Sequence, residues 1–289
     1  MTAWEEQIAL NCFDETKLEH LEAVKAYTEQ PVHVPNMHDF DYKEQLDKLI
    51  ARDTSFLPPT NWREGYYGDG HYSYWLSGLR DKLYLEELMK KYNRSTQDVS
   101  AFDFGCATGR VIRHWACDPD YSLVSGCDIN AKHIRWVNEF LPANVQSFQS
   151  SSVPALPIEH NVFDLVTAFS VFSHIEAFET TWLMEMRRIL KPGGLFYVTI
   201  QSYYTWQNLD ENWPVYQALK NYPGFKVEEM GSKMENDKII FRWRNDQSYS
   251  SNVFLHHDHI KKVWGRYFDV LEVSPKYPGF QDSLLLQKK

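Results

Sequence analysis

From Val99 onward the chain alternates short apolar runs with amphipathic stretches, a rhythm that few folds accommodate. The runs are 99–104, 123–128, 145–148, 163–169 and 195–200. Between them, 109–115, 131–141 and 177–190 read as helices, the last stopped by Lys191-Pro192-Gly193-Gly194. Strands that alternate with helices are βαβ units, so the pattern predicts an α/β fold built on a mainly parallel sheet. A chain of 289 residues is long enough for one such domain with additions.

The additions lie at both flanks. Leu18, Leu21 and Tyr27 predict a helix over 14–28, and Leu46, Leu49 and Ile50 a second one before Pro58-Pro59. Residues 61–77 carry Trp62, Tyr66, Tyr67, Tyr72, Tyr74 and Trp75 among Gly65, Gly68 and Gly70, a loop passing into a helix that runs to about Lys91. After Ile200 the rhythm breaks for about fifty residues around Trp206, Trp213, Tyr216, Tyr222 and a hairpin strand over 238–244. Asp258 is placed to cap a last helix, and strands follow at 268–273 and 283–286. The expected divisions are an N-terminal helical cap (1–92), a core (93–201), an insertion over the sheet's carboxyl edge (202–257) and a C-terminal part of the core sheet (258–289).

The most informative stretch is Asp103-Phe104-Gly105-Cys106-Ala107-Thr108-Gly109-Arg110, a glycine-rich turn between the first strand and the next helix. Glycines there let a ligand lie against backbone, and a helix N-terminus offers unpaired N–H groups. Asp128 follows Gly109 by about 20 residues at the end of the second strand, where a carboxylate can hold a ribose diol. A nicotinamide dinucleotide would use such a turn as well. Asp103 tips the balance, because its charge would repel a pyrophosphate but supports the ammonium end of S-adenosylmethionine (SAM); a carboxylate that merely caps the turn's amides is the alternative.

At these residues the chain resembles the class I SAM-dependent methyltransferases, whose first motif is an acid followed by alternating glycines. Asp128-Ile129 is similar to the family's ribose-binding acid and adenine-packing residue. Ala155-Leu156-Pro157, Phe163-Asp164-Leu165-Val166 and Arg188-Ile189-Leu190-Lys191-Pro192-Gly193-Gly194 match its later landmarks, over about 97–201, and 281–286 resembles its last strand. The resemblance implies a Rossmann-like seven-stranded sheet with helices on both faces and an antiparallel last strand. It also implies SAM as cofactor, S-adenosylhomocysteine as product, and a cofactor site drawn from Asp103, Gly105, Cys106, Ala107, Gly109, Arg110, Asp128, Ile129, Ser152, Val153, Phe169 and Ser170. Two positions depart from the pattern: Ala107 replaces the middle glycine, and Ser152 stands where an acid usually meets the adenine amino group. By the same resemblance Ser77-Gly78 begins a helix over the methionine end.

A sulfonium is already an activated leaving group, so methyl transfer needs alignment above all. His174, just past the fourth strand, is the candidate base for a hydroxyl or amine acceptor, with ordering of its loop as the alternative role. Tyr203, Tyr204 and Trp206, together with Tyr72, Tyr74 and Trp75, are candidates for an aromatic acceptor wall. A net charge of −9 with no basic patch argues against a nucleic-acid partner. The expected partner is a small-molecule acceptor, methylated on oxygen or nitrogen, while a silent SAM-binding protein or a protein or RNA methyltransferase are the alternatives. Four cysteines without C-x-x-C spacing, no leader pattern and no long apolar run place the chain in the cytoplasm, away from membranes. His256, His257, Asp258 and His259 are contiguous and cannot readily converge on one ion, so no metal is expected. The oligomeric state stays open.

Overall fold

The computed structural model describes residues 43–64, 70–222, 224–244, 247–275 and 281–289. The helix expected over 14–28 lies outside the described residues, as do the aromatic pair Tyr66-Tyr67 and the link through Pro278. The chain falls into two compact units divided between Ser150 and Ser151.

In the first unit, α1 (Lys43–Arg52) and the long α2 (His71–Lys91) precede a three-stranded parallel layer. Its strands are β1 (Val99–Phe104), β2 (Tyr121–Asp128) and β3 (Val145–Gln149), linked by α3 (Ile112–Ala116) and α4 (Ala131–Phe140). β2 lies between the other two, with Phe104 beside Cys127 and Cys127 beside Phe148. All six residues of β1 are buried, as a strand covered on both faces requires. Two boundaries moved. α2 begins at His71 rather than near Ser77, which puts Tyr72, Tyr74 and Trp75 into a core cluster with Leu57, Leu76 and Leu79. α3 starts three residues later than expected, because Gly109 at φ +85° is not helical backbone.

The second unit carries β4 (Phe163–Ala168), α5 (Glu179–Ile189) and β5 (Leu190–Ser202), with β4 and β5 parallel. The Lys191-Pro192-Gly193-Gly194 segment stops the helix and then forms an irregular start to β5: Phe163 lies beside Leu190 but Leu165 beside Leu195. β9 (Asp282–Lys288) runs antiparallel to β5, and β8 (Phe268–Ser274) antiparallel to β9. The predicted α/β class, with a parallel-dominated sheet, flanking helices and an antiparallel last strand, is therefore what the chain forms.

Between β5 and α8 (His257–Val263) the chain forms α6 (Tyr203–Gln207), α7 (Pro214–Leu219) and the hairpin β6 (Lys238–Arg242) and β7 (Ser251–Leu255). This stretch has a core of its own, in which Trp206, Leu209, Leu219, Phe225, Phe241 and Phe254 meet. It also joins the sheet: β7 pairs in parallel with the end of β5, Gln201 beside Phe254 and Ser202 beside Leu255. The cap of α8 is His256, whose ring accepts the Asp258 N–H, and Asp258 itself occupies the first turn. Among the described residues no helix is long and apolar enough to cross a membrane.

Candidate active site

The turn after β1 is made by backbone. Gly105 and Cys106 both donate their N–H groups to Cys127 O, at 2.8 and 2.9 Å, which folds the turn back over the end of β2. Gly105, Ala107 and Gly109 have φ of +78°, +45° and +85°. Ala107 thus adopts the left-handed conformation that a glycine would take without strain. Gly109 is needed for a second reason: a Cβ there would lie 2.4 Å from Leu141 Cδ1 and 3.0 Å from Ile112 Cγ2, so its bare face meets core rather than ligand space. Asp103 is buried in β1 beside Gly126. The Cys106 thiol, buried and close to Asp128 and Asp103, is held far above the ordinary thiol range and stays protonated.

Two expected cofactor-side residues serve α2 instead. Arg110 pairs with Asp81 at 2.7 Å and donates to Ser77 Oγ at 3.3 Å. Gly78 lies well inside the helix, and a Cβ on it would stand 1.9 Å from Arg110 O, so the helix crosses the turn at backbone contact. Tyr72, Tyr74 and Trp75 are core residues, not an acceptor wall: Tyr74 Oη lies 3.2 Å from Thr108 Oγ1 and Trp75 Nε1 donates to Asp53 Oδ2 at 2.8 Å.

Asp128 ends β2 with its carboxylate fixed in the turn. Oδ2 accepts the Ala107 N–H and Oδ1 the Asn130 N–H, each at 2.8 Å. Each oxygen keeps a further lone-pair site, the arrangement a vicinal diol needs. Ile129 beside it is half-buried. A third group missed in the sequence, His133, stands with Nδ1 3.5 Å from Asp128 Oδ1 and Nε2 3.0 Å from Glu64 Oε1. Burial works against its charge, but the two carboxylates prevail and raise the ring to about 9.

The remaining candidates lie in the second unit. Ser152 is fully buried, its hydroxyl 2.7 Å from Ser248 Oγ and its carbonyl accepting Tyr249 Oη at 2.6 Å. Val153 is exposed and its N–H donates to Ser151 Oγ at 3.2 Å. After β4, Phe169 packs on Tyr197, and Ser170 takes φ +58° with its N–H on Thr199 Oγ1 and its hydroxyl on Gln281 Oε1. His174 follows, with Nδ1 2.7 Å from the carbonyl oxygen of Ser251 in β7 and its ring edge-on to Trp243. A carbonyl can only accept, so Nδ1 carries a proton, and in the neutral ring Nε2 holds the lone pair.

Of the aromatic residues after β5, Trp206 is committed to the insertion's core and donates Nε1 to Ser232 O, while Tyr203 packs on His256. The histidines at 256–259 diverge: His257 faces Asp282 at 3.2 Å and His259 faces Glu179 at 2.8 Å. A buried amide pair on β5 and β7 was not foreseen from the residues alone. Gln201 Nε2 donates to Asn252 Oδ1 at 3.1 Å, and among the described residues Gln201 Oε1 and Asn252 Nδ2 have no hydrogen-bond partner. Flipping both amides exchanges these roles but still leaves one donor and one acceptor unmet.

The sequence family described as "Methyltransferase domain" matches residues 102–198, from within β1 to within β5, and so takes in the glycine turn, Asp128 and His174. That stretch of the chain is a methyltransferase domain. Among solved structures, a SAM-dependent methyltransferase from Mesorhizobium loti shares 13% identity at a TM-score of 0.51, over 70% of this chain and 96% of that one. One from Methanosarcina mazei shares 17% identity at 0.47, over 68% and 95%. At 13% identity the likeness to the Mesorhizobium loti structure is one of fold. Among curated proteins none matches the sequence. The cofactor of the methyltransferase domain is SAM, and the Asp128 carboxylate, aimed by two backbone N–H groups, suits its ribose diol.

Proposed function

We propose that the protein transfers the methyl group of SAM to an oxygen or nitrogen of a small-molecule acceptor, with His174 Nε2 taking the acceptor's proton and S-adenosylhomocysteine released. When bound, SAM supplies a methyl group already activated on a sulfonium. What remains for the chain is to hold the cofactor, orient the acceptor and accept a proton. In this reading Asp103, Gly105, Cys106, Ala107, Asp128 and Ile129 of the first unit hold the cofactor, and Val153, Phe169 and Ser170 stay candidates that rest on the family resemblance. Arg110 and Ser152 act indirectly, through their bonds to Asp81 and Ser248.

The observation that carries the catalytic part is the His174 Nδ1 bond to Ser251 O. It fixes the tautomer that a base requires and anchors the loop after β4 to the insertion. Gln201 and Asn252, with an acceptor and a donor unmet among the described residues in a buried setting, support an acceptor that brings a polar group of its own. A net charge of −9 speaks for a small molecule over RNA, and the free thiols of Cys106, Cys117 and Cys127 fit a reducing cytoplasm.

The test is transfer of labelled methyl from SAM to a panel of hydroxyl- and amine-bearing small molecules. His174→Gln should lower kcat about 100-fold, the low end for loss of a general base, with SAM affinity unchanged by calorimetry. Normal turnover in the variant would reduce His174 to a loop anchor, and SAM binding with no transfer to any acceptor would make the protein a cofactor-binding subunit.

A further inference from the structure

Asp128 is held from three directions, and one of them is not backbone. The N–H groups of Ala107 and Asn130 fix one lone pair on each oxygen and set the plane of the carboxylate, but both are neutral and do nothing to balance its charge. His133, one turn into α4, stands 3.5 Å from Oδ1, an ion-pair distance outside hydrogen-bond geometry. The same ring meets Glu64 Oε1 at 3.0 Å on its other nitrogen. Glu64 has a left-handed backbone, φ +49°, and lies shortly before α2, so the imidazole ties that segment to the end of β2. Its ring is buried and Glu64 is mostly exposed, so the tie runs from the surface down to the ribose-binding acid.

We propose that His133 is a positioning residue for cofactor binding: as a doubly protonated imidazolium it braces Asp128 for the ribose diol and fastens the segment bearing Glu64 beside it. The proposal rests on the cofactor reading of Asp128. A neutral imidazole could give its one N–H to Glu64 but would offer Asp128 no charge, whereas the protonated ring donates to Glu64 and pairs with the Asp128 carboxylate at the same time. Among the described residues the charged groups that face the ring are Asp128 from β2 and Glu64 from the segment before α2. On the side of its own helix it meets Asn130, whose Nδ2 lies 3.5 Å from Nε2 and bears no charge. Burial alone would favour the neutral ring, and the two carboxylates overcome it and hold the proton to about pH 9. The sign follows: with its proton held more tightly folded than unfolded, the brace is complete at neutral pH and is lost as pH rises through about 9.

SAM is a poor probe of this effect because its own amino group titrates. 5′-Methylthioadenosine keeps adenine and the ribose diol and has no group that titrates between pH 7 and 10. Its affinity for the wild-type protein, read by calorimetry, should be level from pH 7 to about 8.5 and fall about tenfold above 9, the scale of one charge-assisted contact. His133→Gln should show that loss already at pH 7, with no step in pH. His133→Lys, which keeps a cation to about pH 10, should hold the affinity beyond the wild-type step. 2′,3′-Dideoxyadenosine, without the diol, should bind wild type and His133→Gln alike. Wild-type affinity that is flat in pH and matched by His133→Gln would overturn the role of His133, and so would an equal loss for the dideoxy compound, which would mark general damage. Failure of both SAM and 5′-methylthioadenosine to bind at pH 7 would instead overturn the cofactor reading beneath it.

Discussion

The glycine turn and the insertion after β5 serve the same proposed reaction and are held together by different means. In the turn the structural work is done by backbone: N–H groups of Gly105, Cys106 and Ala107 reach the end of β2, and three positive φ angles fall within five residues. In the insertion it is done by side chains whose partners are distant in sequence. Glu176 gathers Arg242, Ser251 Oγ and the Tyr249 N–H, and Tyr249 Oη joins Ser152 O to Trp182 Nε1. A backbone-built site imprints a spacing of glycines on the sequence, because conformation dictates residue type at each step. A side-chain-built one leaves only aromatic and polar composition, which core residues also have.

The sharpest challenge to this contrast is Asp53. Its carboxylate grips Arg113 through Nε at 2.6 Å and Nη2 at 3.1 Å, and both side chains are wholly buried. Burial opposes the charge on Asp53, but Arg113 outweighs it and keeps the carboxyl below its ordinary range. Arg113 lies in the helix that follows the turn, so a side-chain clasp supports the backbone-built site after all. Asp53→Ala should cost about 3–5 kcal/mol in urea unfolding, since it strands a buried guanidinium. A loss under about 1 kcal/mol would leave the turn standing on its backbone alone.

Glu179 is the corresponding clasp in the second unit. Although burial raises it, His259, Lys238 and Trp264 Nε1 together draw its pKa down to about 2. The stabilisation is present above the ordinary carboxylate range near 4.5 and is lost as pH falls toward 2. Glu179→Gln should therefore cost up to about 3 kcal/mol at pH 6 and progressively less by pH 3. A penalty that does not change between those pH values would assign the loss to packing rather than charge.

Next in size is Gly78→Ala. The new methyl would press on the Arg110 carbonyl, and backbone on both sides cannot swing away, so a loss of about 1–3 kcal/mol in stability is expected. Weakened SAM binding should accompany it, because the displaced carbonyl belongs to the turn. A stable variant with intact SAM affinity would show that α2 merely rests against the turn.

What could be read in advance follows the same division. β1 was legible to the residue and β2 to β4 within two, because buried strands between helices leave compact apolar runs. The start of α2 was not: Gly70 and the aromatic residues after it suggested loop, yet Tyr72, Tyr74 and Trp75 pack into one cluster with Leu76 and Leu79. The first half of β5 was hidden by Pro192 and Gly193, which are turn residues in most settings and here enter an irregular strand. Asp128 could be found from its distance to the turn. His133 could not, since a histidine on an amphipathic helix shows its role only when Glu64, far back in sequence, is seen against it. Gln201 and Asn252 were out of reach for the same reason, being brought together by the parallel pairing of β5 and β7.

The finest test of the backbone-built turn is Ala107→Gly. Left-handed backbone costs a non-glycine residue about 1 kcal/mol, and Ala107 sits at φ +45°. Glycine would relieve that strain but also free the unfolded chain, which offsets about 0.4–1 kcal/mol. The expected net gain is a few tenths of a kcal/mol, measured by denaturant midpoint. Affinity for SAM should stay the same, because the N–H that meets Asp128 Oδ2 belongs to the backbone and survives the change. A several-fold loss of affinity would mean that the Ala107 methyl touches the cofactor, and the turn would then owe part of its binding to a side chain.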